Sequence, residues 1–483
     1  MRLARSSATI LPLAVLGSCI SFVEDTERDS GLEVPERFAA TAEDVEVVPP
    51  NERWWMDFGS EGMAYAVETA LANNRELLAA TAARDAAVAR AVIAGADLWP
   101  SLDGAFNAAR QRQVFVGFPI PGTTGPATTT FNSFTASLSL AWELDLWGRL
   151  RAGELAANRD VEVAVAELQA LRLSIAARTA QTWLEANEAR LQLRIAEDTA
   201  QTLRTTESLV DRRFRSGVRP ALDLRLTRSD LESAEALVVQ RRRELDRVLR
   251  NLQVQLGQYP DANVAFAEPL PTLSAETPSV IPGEVLLRRP DLLAADRRLA
   301  ATDARLGEAR AARLPRLSLT GTIGTTSNQI EDLVDSDFGI WSLAGNLTQP
   351  IFDAGRLAAQ VDLRDAERLQ AYGDWARAVL LAFQEIETAT AAESFWEDEL
   401  RRRQRASDEA SSARTLSADR YSKGLVDIVT VLDAERRELE TRTNALRARR
   451  QLLSNRIDLI LALGGGLPEA TDEENGTDEA ETP

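Results

Sequence analysis

The chain contains two copies of one structural unit. Three motif positions in the first copy recur in the second copy after the same interval of 207 residues: Gly148 and Gly355, Gly217 and Gly424, Leu256 and Leu463. A constant interval across separate motifs predicts a tandem repeat, which constrains the fold more than any other feature here. Pro100 and Pro315 are also counterparts, but they lie 215 residues apart. The first copy therefore carries extra residues, which we assign to a loop at Pro119–Thr130 that is rich in proline and glycine.

Each copy predicts the same order of elements: helix, β-hairpin, long helix, turn and helix. The opening helices are predicted over Glu61–Leu98 and Gly283–Leu314, each ending before a proline. The predicted organisation is as follows: 1–18 signal peptide, 19–60 N-terminal lipid-anchored segment, 61–257 repeat 1, 258–282 linker, 283–466 repeat 2, and 467–483 acidic disordered tail.

The predicted hairpins alternate between apolar and polar residues. Over Ala136–Leu146, Leu or Trp occupies most of one set of alternate positions, whereas Ser, Glu and Asp occupy most of the other. Leu317–Ile323 and Trp341–Leu347 continue this pattern in the second copy. A period of two predicts strands with one apolar and one polar face. Such strands occur in soluble antiparallel sheets and in membrane-spanning sheets, and the pattern alone leaves both open.

The second helix after each hairpin has leucine or another aliphatic residue at every seventh position. One series runs from Leu224 to Leu252, and the other from Leu432 to Ile460. Sustained heptads predict left-handed coiled-coil packing. At 1.5 Å per residue, the helix predicted between Arg356 and Tyr421 would reach about 100 Å, which is comparable to the width of a periplasm.

The N-terminus has the features of an export signal. Arg2 and Arg5 precede the apolar run Ala8–Leu16, which is too short to span a bilayer. The run ends in Leu-Gly-Ser-Cys, which resembles a bacterial lipobox. The motif predicts cleavage before Cys19 and acylation of Cys19, with palmitate among the attached acyl groups. The alternative is an ordinary signal peptide with a cysteine there by chance. Either form of export favours the membrane interpretation of the hairpins.

Composition argues against catalysis and against nucleic-acid binding. The chain has no histidine, a single cysteine and a formal net charge of −19. Without histidine, the common catalytic triads and histidine-containing zinc sites are excluded, and no nucleotide-binding or nucleophile motif is present. An acidic surface repels phosphate backbones. We therefore expect no enzyme activity, no cofactor, no metal and no nucleic-acid partner.

Several motifs together resemble the outer membrane efflux (TolC) family, and more narrowly its lipoprotein branch. The resemblance covers nearly the whole mature chain and rests on these stretches: Trp142–Leu150, Leu286–Leu299, Ala309–Gly321, Leu347–Leu357, Arg420–Arg436 and Leu461–Gly466. It implies an α+β membrane protein that forms a homotrimer. In such a trimer, long coiled-coil helices form a periplasmic α-barrel, and two β-hairpins per protomer contribute to a 12-stranded outer-membrane β-barrel.

The resemblance also implies a function. It predicts an efflux channel in the Gram-negative outer membrane, lipid-anchored and extending into the periplasm. This channel would be the exit duct of a tripartite pump, best matched to the proton-driven RND class, with a periplasmic adaptor, an inner-membrane pump and a small-molecule cargo. The main rival is a lipid-anchored periplasmic coiled-coil scaffold without a pore, which would leave the paired hairpins unexplained.

Residue roles follow from the resemblance alone, because spacing by itself favours solvated helix-surface carboxylates at Asp223 and Asp433. Asp433 matches a carboxylate that forms a three-fold acidic ring and filters charge, and Asp223 and Tyr421 match a hydrogen bond that holds the gate closed. Thr430 and Val426 replace a second gate aspartate and a neighbouring arginine of the family. The residues expected at the adaptor-docking helix tips are Arg215, Gly217, Lys423 and Gly424, and those expected as membrane-interface aromatics are Trp142 and Trp341.

Overall fold

A computed structural model gives the structure of the protein and describes residues 35, 37–39, 49–115, 127–264, 269–273 and 277–466. The predicted signal peptide, Cys19 and the acidic tail lie outside the described residues. So does most of the predicted loop at Pro119–Thr130, although Ala127 already begins a strand, so the last four of those positions were wrongly assigned to the loop.

The described residues form the predicted order of elements twice. The helices and strands are α1 Glu61–Asn73, α2 Arg75–Ala96, β1 Ser101–Phe115, β2 Ala127–Leu144, α3 Arg149–Arg215, α4 Ala221–Gln255, α5 Pro282–Arg288, α6 Pro290–Ala311, β3 Arg316–Ser327, β4 Gly339–Thr348, α7 Arg356–Ser422 and α8 Ile428–Ala462. The two long helices have 67 residues each, and the helices after them have 35 each. Across the described residues, no helix carries a stretch apolar and long enough to traverse a bilayer.

The two opening helices are interrupted, and their prediction as continuous helices was wrong. Asn74 separates α1 from α2 in an extended conformation, and its amide side chain donates to the carbonyl of Gln255 at 3.0 Å. Arg289 separates α5 from α6 in the same way. Because a residue before proline is disfavoured in the helical conformation, Pro290 explains the second break.

The chain divides into two compact units, each of which takes residues from both repeats. One comprises Ala86–Val161 and Arg297–Tyr372 and holds the four strands. The other comprises the described parts of Asp29–Asp85, Glu162–Asp296 and Gly373–Pro483 and holds most of the helical residues.

The strand-containing unit is built on one antiparallel sheet in the order β1-β2-β3-β4. Paired residues in neighbouring strands point to the same face. The register pairs Leu138 with Ile323, and Ile323 with Trp341. One face is therefore apolar across all four strands: Leu102, Phe106, Leu138, Leu140, Trp142, Leu317, Leu319, Ile323, Trp341, Leu343 and Leu347.

The apolar face of the sheet is exposed within the protomer. Leu102, Ile323 and Leu343 are each more than 60% exposed. The opposite face carries mainly Ser, Thr, Asp, Asn and Glu, as the alternation predicted. Among the described strands, β1 and β4 each have one edge without a strand partner. An exposed apolar face with open edges indicates that this sheet needs another environment or another copy to be stable.

The helical unit holds the hydrophobic core. Its largest cluster joins Trp54, Trp55 and Phe58 of a short 3-10 helix to Trp183 of α3 and Ile457 of α8. The rings of the two adjacent tryptophans meet edge to face at 5.6 Å. A second cluster lies between α7 and α8, and a third lies near their connecting turn.

Gly257, which ends α4, is expected to tolerate no side chain. It has φ +71°, and an added Cβ would lie 2.5 Å from the carbonyl oxygen of Asn73. Gly217 has a similar φ of +74°, but nothing lies within 4 Å of its added Cβ. Since Gly217→Ala incurs only the left-handed backbone strain of about 1–2 kcal/mol, we expect Gly257→Ala to lower the free energy of unfolding by clearly more. Urea denaturation followed by circular dichroism would compare them, and equal losses would contradict the close approach.

Candidate gate at the helix-turn tips

The two turns between long helices have the same backbone geometry. At the first tip, Gly217 adopts φ +74° and the amide of Val218 donates to the carbonyl of Arg213 at 2.9 Å. At the second tip, Gly424 adopts φ +76° and the amide of Leu425 donates to Arg420 at 2.9 Å. This pair of features is the Schellman motif, which needs glycine because its left-handed conformation strains other residues. The sequence repeat placed Gly217 and Gly424 at the two tips, where glycine permits the backbone of the turn.

The residues expected to dock an adaptor lie exposed at these tips. Arg215 pairs with Asp211 at 2.7 Å, and Lys423 pairs with Asp419 at 2.7 Å. Val218 and Leu425 next to the glycines are 68% and 70% exposed. Each tip therefore presents an apolar side chain beside charged ones, and the docking role of these residues remains a prediction.

Tyr421 lies in the core between the tips. It is 2% exposed and packs in a cluster that includes Val210, Leu224 and Ile428. Its hydroxyl is buried and has no hydrogen-bond partner among the described residues, so the expected bond to Asp223 is not formed in this protomer. Asp223 is half-buried in the first turn of α4, where the helix dipole favours a carboxylate without such a partner.

Two arginines contact Tyr421 instead, and the sequence analysis assigned a role to neither. The guanidinium carbon of Arg213 lies 4.9 Å from the centre of the Tyr421 ring, and that of Arg219 lies 5.4 Å away. Arg213 also donates to the main-chain oxygens of Tyr421 and Ser422 at 3.2 and 2.8 Å. The sequence offered one signal for this contact, the basic residues in the last turn of α3. Such residues can bind carbonyl groups at a helix end, but the sequence does not identify the helix whose carbonyls they bind.

Asp433 pairs with two arginines in the next turn of its own helix. Its carboxylate accepts from Nε of Arg437 at 3.1 Å and lies 3.6 Å from a guanidinium nitrogen of Arg436. Its side chain is 48% exposed, and both arginines are more exposed. Thr430, which replaces the family's second aspartate, donates to Asp427 at 2.8 Å. The positive charges of Arg436 and Arg437 therefore offset the negative charge of the Asp433 carboxylate.

A partly buried ion pair links three helices close to Asp433. Arg414 of α7 bonds Glu435 of α8 at 2.9 Å and the hydroxyl of Thr202 in α3 at 3.1 Å. The same arginine lies 3.3 Å from Glu438. Burial raises the pKa of Glu435 above its ordinary value, even though Arg414 opposes this rise. The pair fastens α7 and α8 to α3 near the tip.

The two predicted interface tryptophans lie on the sheet in different surroundings. Trp142 is half-buried, and its indole nitrogen donates to the carbonyl of Leu98 at 2.9 Å. Trp341 is 81% exposed on the apolar face. Trp147 donates to the carbonyl of Pro315 at 2.7 Å. An interfacial role suits the exposed ring of Trp341 and remains a prediction for both residues.

Comparison with known proteins identifies the chain. The model of the family described as outer membrane efflux protein matches residues 66–258 and 281–465. These two segments correspond to the two repeats. The chain belongs to the outer membrane efflux protein family.

Similar members of the outer membrane efflux protein family cover almost the whole chain. The pyoverdine export outer membrane protein OpmQ of Pseudomonas putida is 30% identical over 469 residues, covering 95% of this chain and 97% of its own. The cation efflux system protein CusC of Escherichia coli is 30% identical over 473 residues, covering 95% and 100%. A solved structure of the outer-membrane channel OprN shares 28% identity with a TM-score of 0.82, covering 90% of this chain and 98% of that one.

Membership of the outer membrane efflux protein family confirms the predicted fold class, function class and location. The protein is an outer-membrane efflux channel of the Gram-negative type, and a scaffold without a pore is not favoured. Its relatives are transport channels and not enzymes.

Proposed function

We propose that this chain forms a homotrimer that serves as the exit duct of a tripartite, RND-type efflux pump. The observation that carries the proposal is the four-stranded sheet, whose apolar face is exposed and whose outer strands have free edges. Strands in lipid must pair on both edges, because an unpaired backbone group in hydrocarbon costs several kcal/mol. Three copies joined from β4 to β1 would supply twelve strands and leave no edge.

The exposed tips support a proposal about the partners. A periplasmic adaptor would bind the apolar and charged residues around Gly217 and Gly424, and an inner-membrane pump would deliver small molecules through it. Acylation of Cys19 would hold the N-terminus at outer-membrane lipid. A measurement of mass for the mature N-terminal peptide would test the anchor, since a Cys19→Ser chain would lack the acyl groups.

The tips would gate the channel at its periplasmic end. Three copies of the Asp433 cluster would meet at the constriction, where charge decides which ions pass. Because each carboxylate has two guanidiniums beside it, we propose that this ring selects less strongly for cations than three bare carboxylates would.

Substitutions around Asp433 should move selectivity in opposite directions. We expect Arg437→Ala to raise the cation-to-anion permeability ratio, and Asp433→Ala to lower it, by a few-fold each, because each removes one sign of charge at the constriction. Reversal potentials in a salt gradient would measure the ratio. Arg402→Ala is the matched control, because Arg402 makes the same type of pair with Asp398 about five helical turns from the tip. An unchanged ratio in both Asp433→Ala and Arg437→Ala would show that this cluster does not line the constriction.

A further inference from the structure

Within the helical unit, the two tips are fastened to each other by arginines of the first tip. The guanidinium carbons of Arg213 and Arg219 lie 4.9 and 5.4 Å from the centre of the Tyr421 ring in α7. A guanidinium within about 6 Å of a ring centre is attracted by the negative face of the ring, and more strongly when the contact is shielded from water. The ring is buried and both arginines are half-buried, so the contact is partly shielded from water.

Arg213 makes a second kind of contact with the same helix end. It donates to the oxygens of Tyr421 and Ser422, which belong to the last turn of α7. The last carbonyls of a helix lack partners within the helix and carry its negative dipole end. A cation from α3 therefore binds α7 where a helix attracts positive charge most strongly.

Arg219 extends the contact to the start of the next helix. Asp427 caps the N-terminus of α8, and its pKa is lowered by hydrogen bonds from Thr430 and, to a smaller extent, by the charge of Arg219. The first tip thus contacts the end of α7 and lies near the start of α8, and the tyrosine hydroxyl has no part in it.

We propose that Arg213 and Arg219 are the gate-positioning residues of this channel and form a cation clamp on Tyr421. The inference rests on the gate proposed at the tips. Opening requires α7 and α8 to separate from α3 and α4 at the tips, which breaks the two hydrogen bonds of Arg213 and withdraws both guanidiniums from the ring. The clamp takes the place of the expected bond between Tyr421 and Asp223.

Single-channel recording in planar bilayers tests the clamp. We expect Arg213→Ala to raise the open probability about tenfold, which corresponds to ~1.4 kcal/mol of lost closed-state stability. Arg212→Ala is the matched control, because Arg212 is a neighbouring arginine whose guanidinium bonds Ser208 of its own helix. Tyr421→Phe keeps the ring and removes only the hydroxyl, so we expect it to behave like the wild type.

Two results would overturn the clamp. One is an equal open probability in Arg213→Ala and Arg212→Ala. The other is an open probability in Tyr421→Phe as high as in Arg213→Ala, which would show that the tyrosine hydroxyl helps to hold the gate closed. Either result leaves the channel function intact, because the wild type still conducts.

A second measurement does not need conductance. Nitroxide labels at the exposed positions Val218 and Leu425 would report the distance between the tips by pulsed electron resonance. We expect the distribution to broaden in Arg213→Ala and to stay narrow in Arg212→Ala. If none of the proteins conducts, the channel function fails, and this distance alone then decides the clamp: equal distributions in the two variants would refute it.

Discussion

Glu393→Ala should lower the free energy of unfolding by about 3–5 kcal/mol, because it leaves the buried guanidinium of Arg456 without the carboxylate that balances its charge. Glu393 of α7 and Arg456 of α8 are 7% and 5% exposed along their side chains, and they meet at 2.6 Å. Asn455 donates to the other carboxylate oxygen at 2.8 Å, so the carboxylate is fully engaged. Urea denaturation of the detergent-solubilised protein, followed by circular dichroism, would measure the loss.

A neighbouring pair on the same helix provides the control for Glu393. Asp398 and Arg402 meet at 2.8 Å but are 47% and 77% exposed, so Asp398→Ala should cost less than about 1 kcal/mol. Replacing both Glu393 and Arg456 with leucine should recover much of the loss, because no charge is then left buried. Similar losses for Glu393→Ala and Asp398→Ala would contradict the argument from burial.

Ile323→Arg should prevent insertion into the outer membrane. Ile323 is 63% exposed in the middle of the apolar face. An arginine on a lipid-facing position of a membrane-spanning strand costs up to ~4 kcal/mol near the bilayer centre. Membrane fractionation and heat-sensitive trimers on a gel would show the loss.

The adjacent Thr322 supplies the control for that experiment. It pairs with Ser139 and Ser342, so it lies on the polar face of the same strand at almost the same depth. Thr322→Arg should therefore insert and form trimers. If both variants inserted equally well, the apolar face would not be the lipid face.

The sequence predicted the order of elements because each boundary is set locally. Pro100 and Pro315 end helices, Gly217 and Gly424 permit the turns, and alternation marks the strands. Each of these signals depends on a few neighbouring residues, so it can be recognised in the sequence before the three-dimensional structure is known.

The contacts that the sequence analysis missed join distant residues. The break at Asn74 has a local signal, because asparagine is a favoured N-cap and its side-chain oxygen accepts from the amide of Glu76 at 2.8 Å. Its bond to the carbonyl of Gln255, 181 residues away, could not be read from the sequence. The break at Arg289 was readable from Pro290, but the arginine's bonds to Glu385 and to the carbonyl of Ala462 were not. The contact between Arg213 and Tyr421 joins residues 208 apart.

Planar-bilayer recording of the purified, detergent-extracted protein shows whether the chain forms a gated channel. We expect small, mostly closed unitary conductances in the wild type, and frequent openings of the same unitary size in Arg213→Ala. A protein that folds, forms trimers and inserts into lipid, yet never conducts as wild type or as Arg213→Ala, would contradict the gated channel.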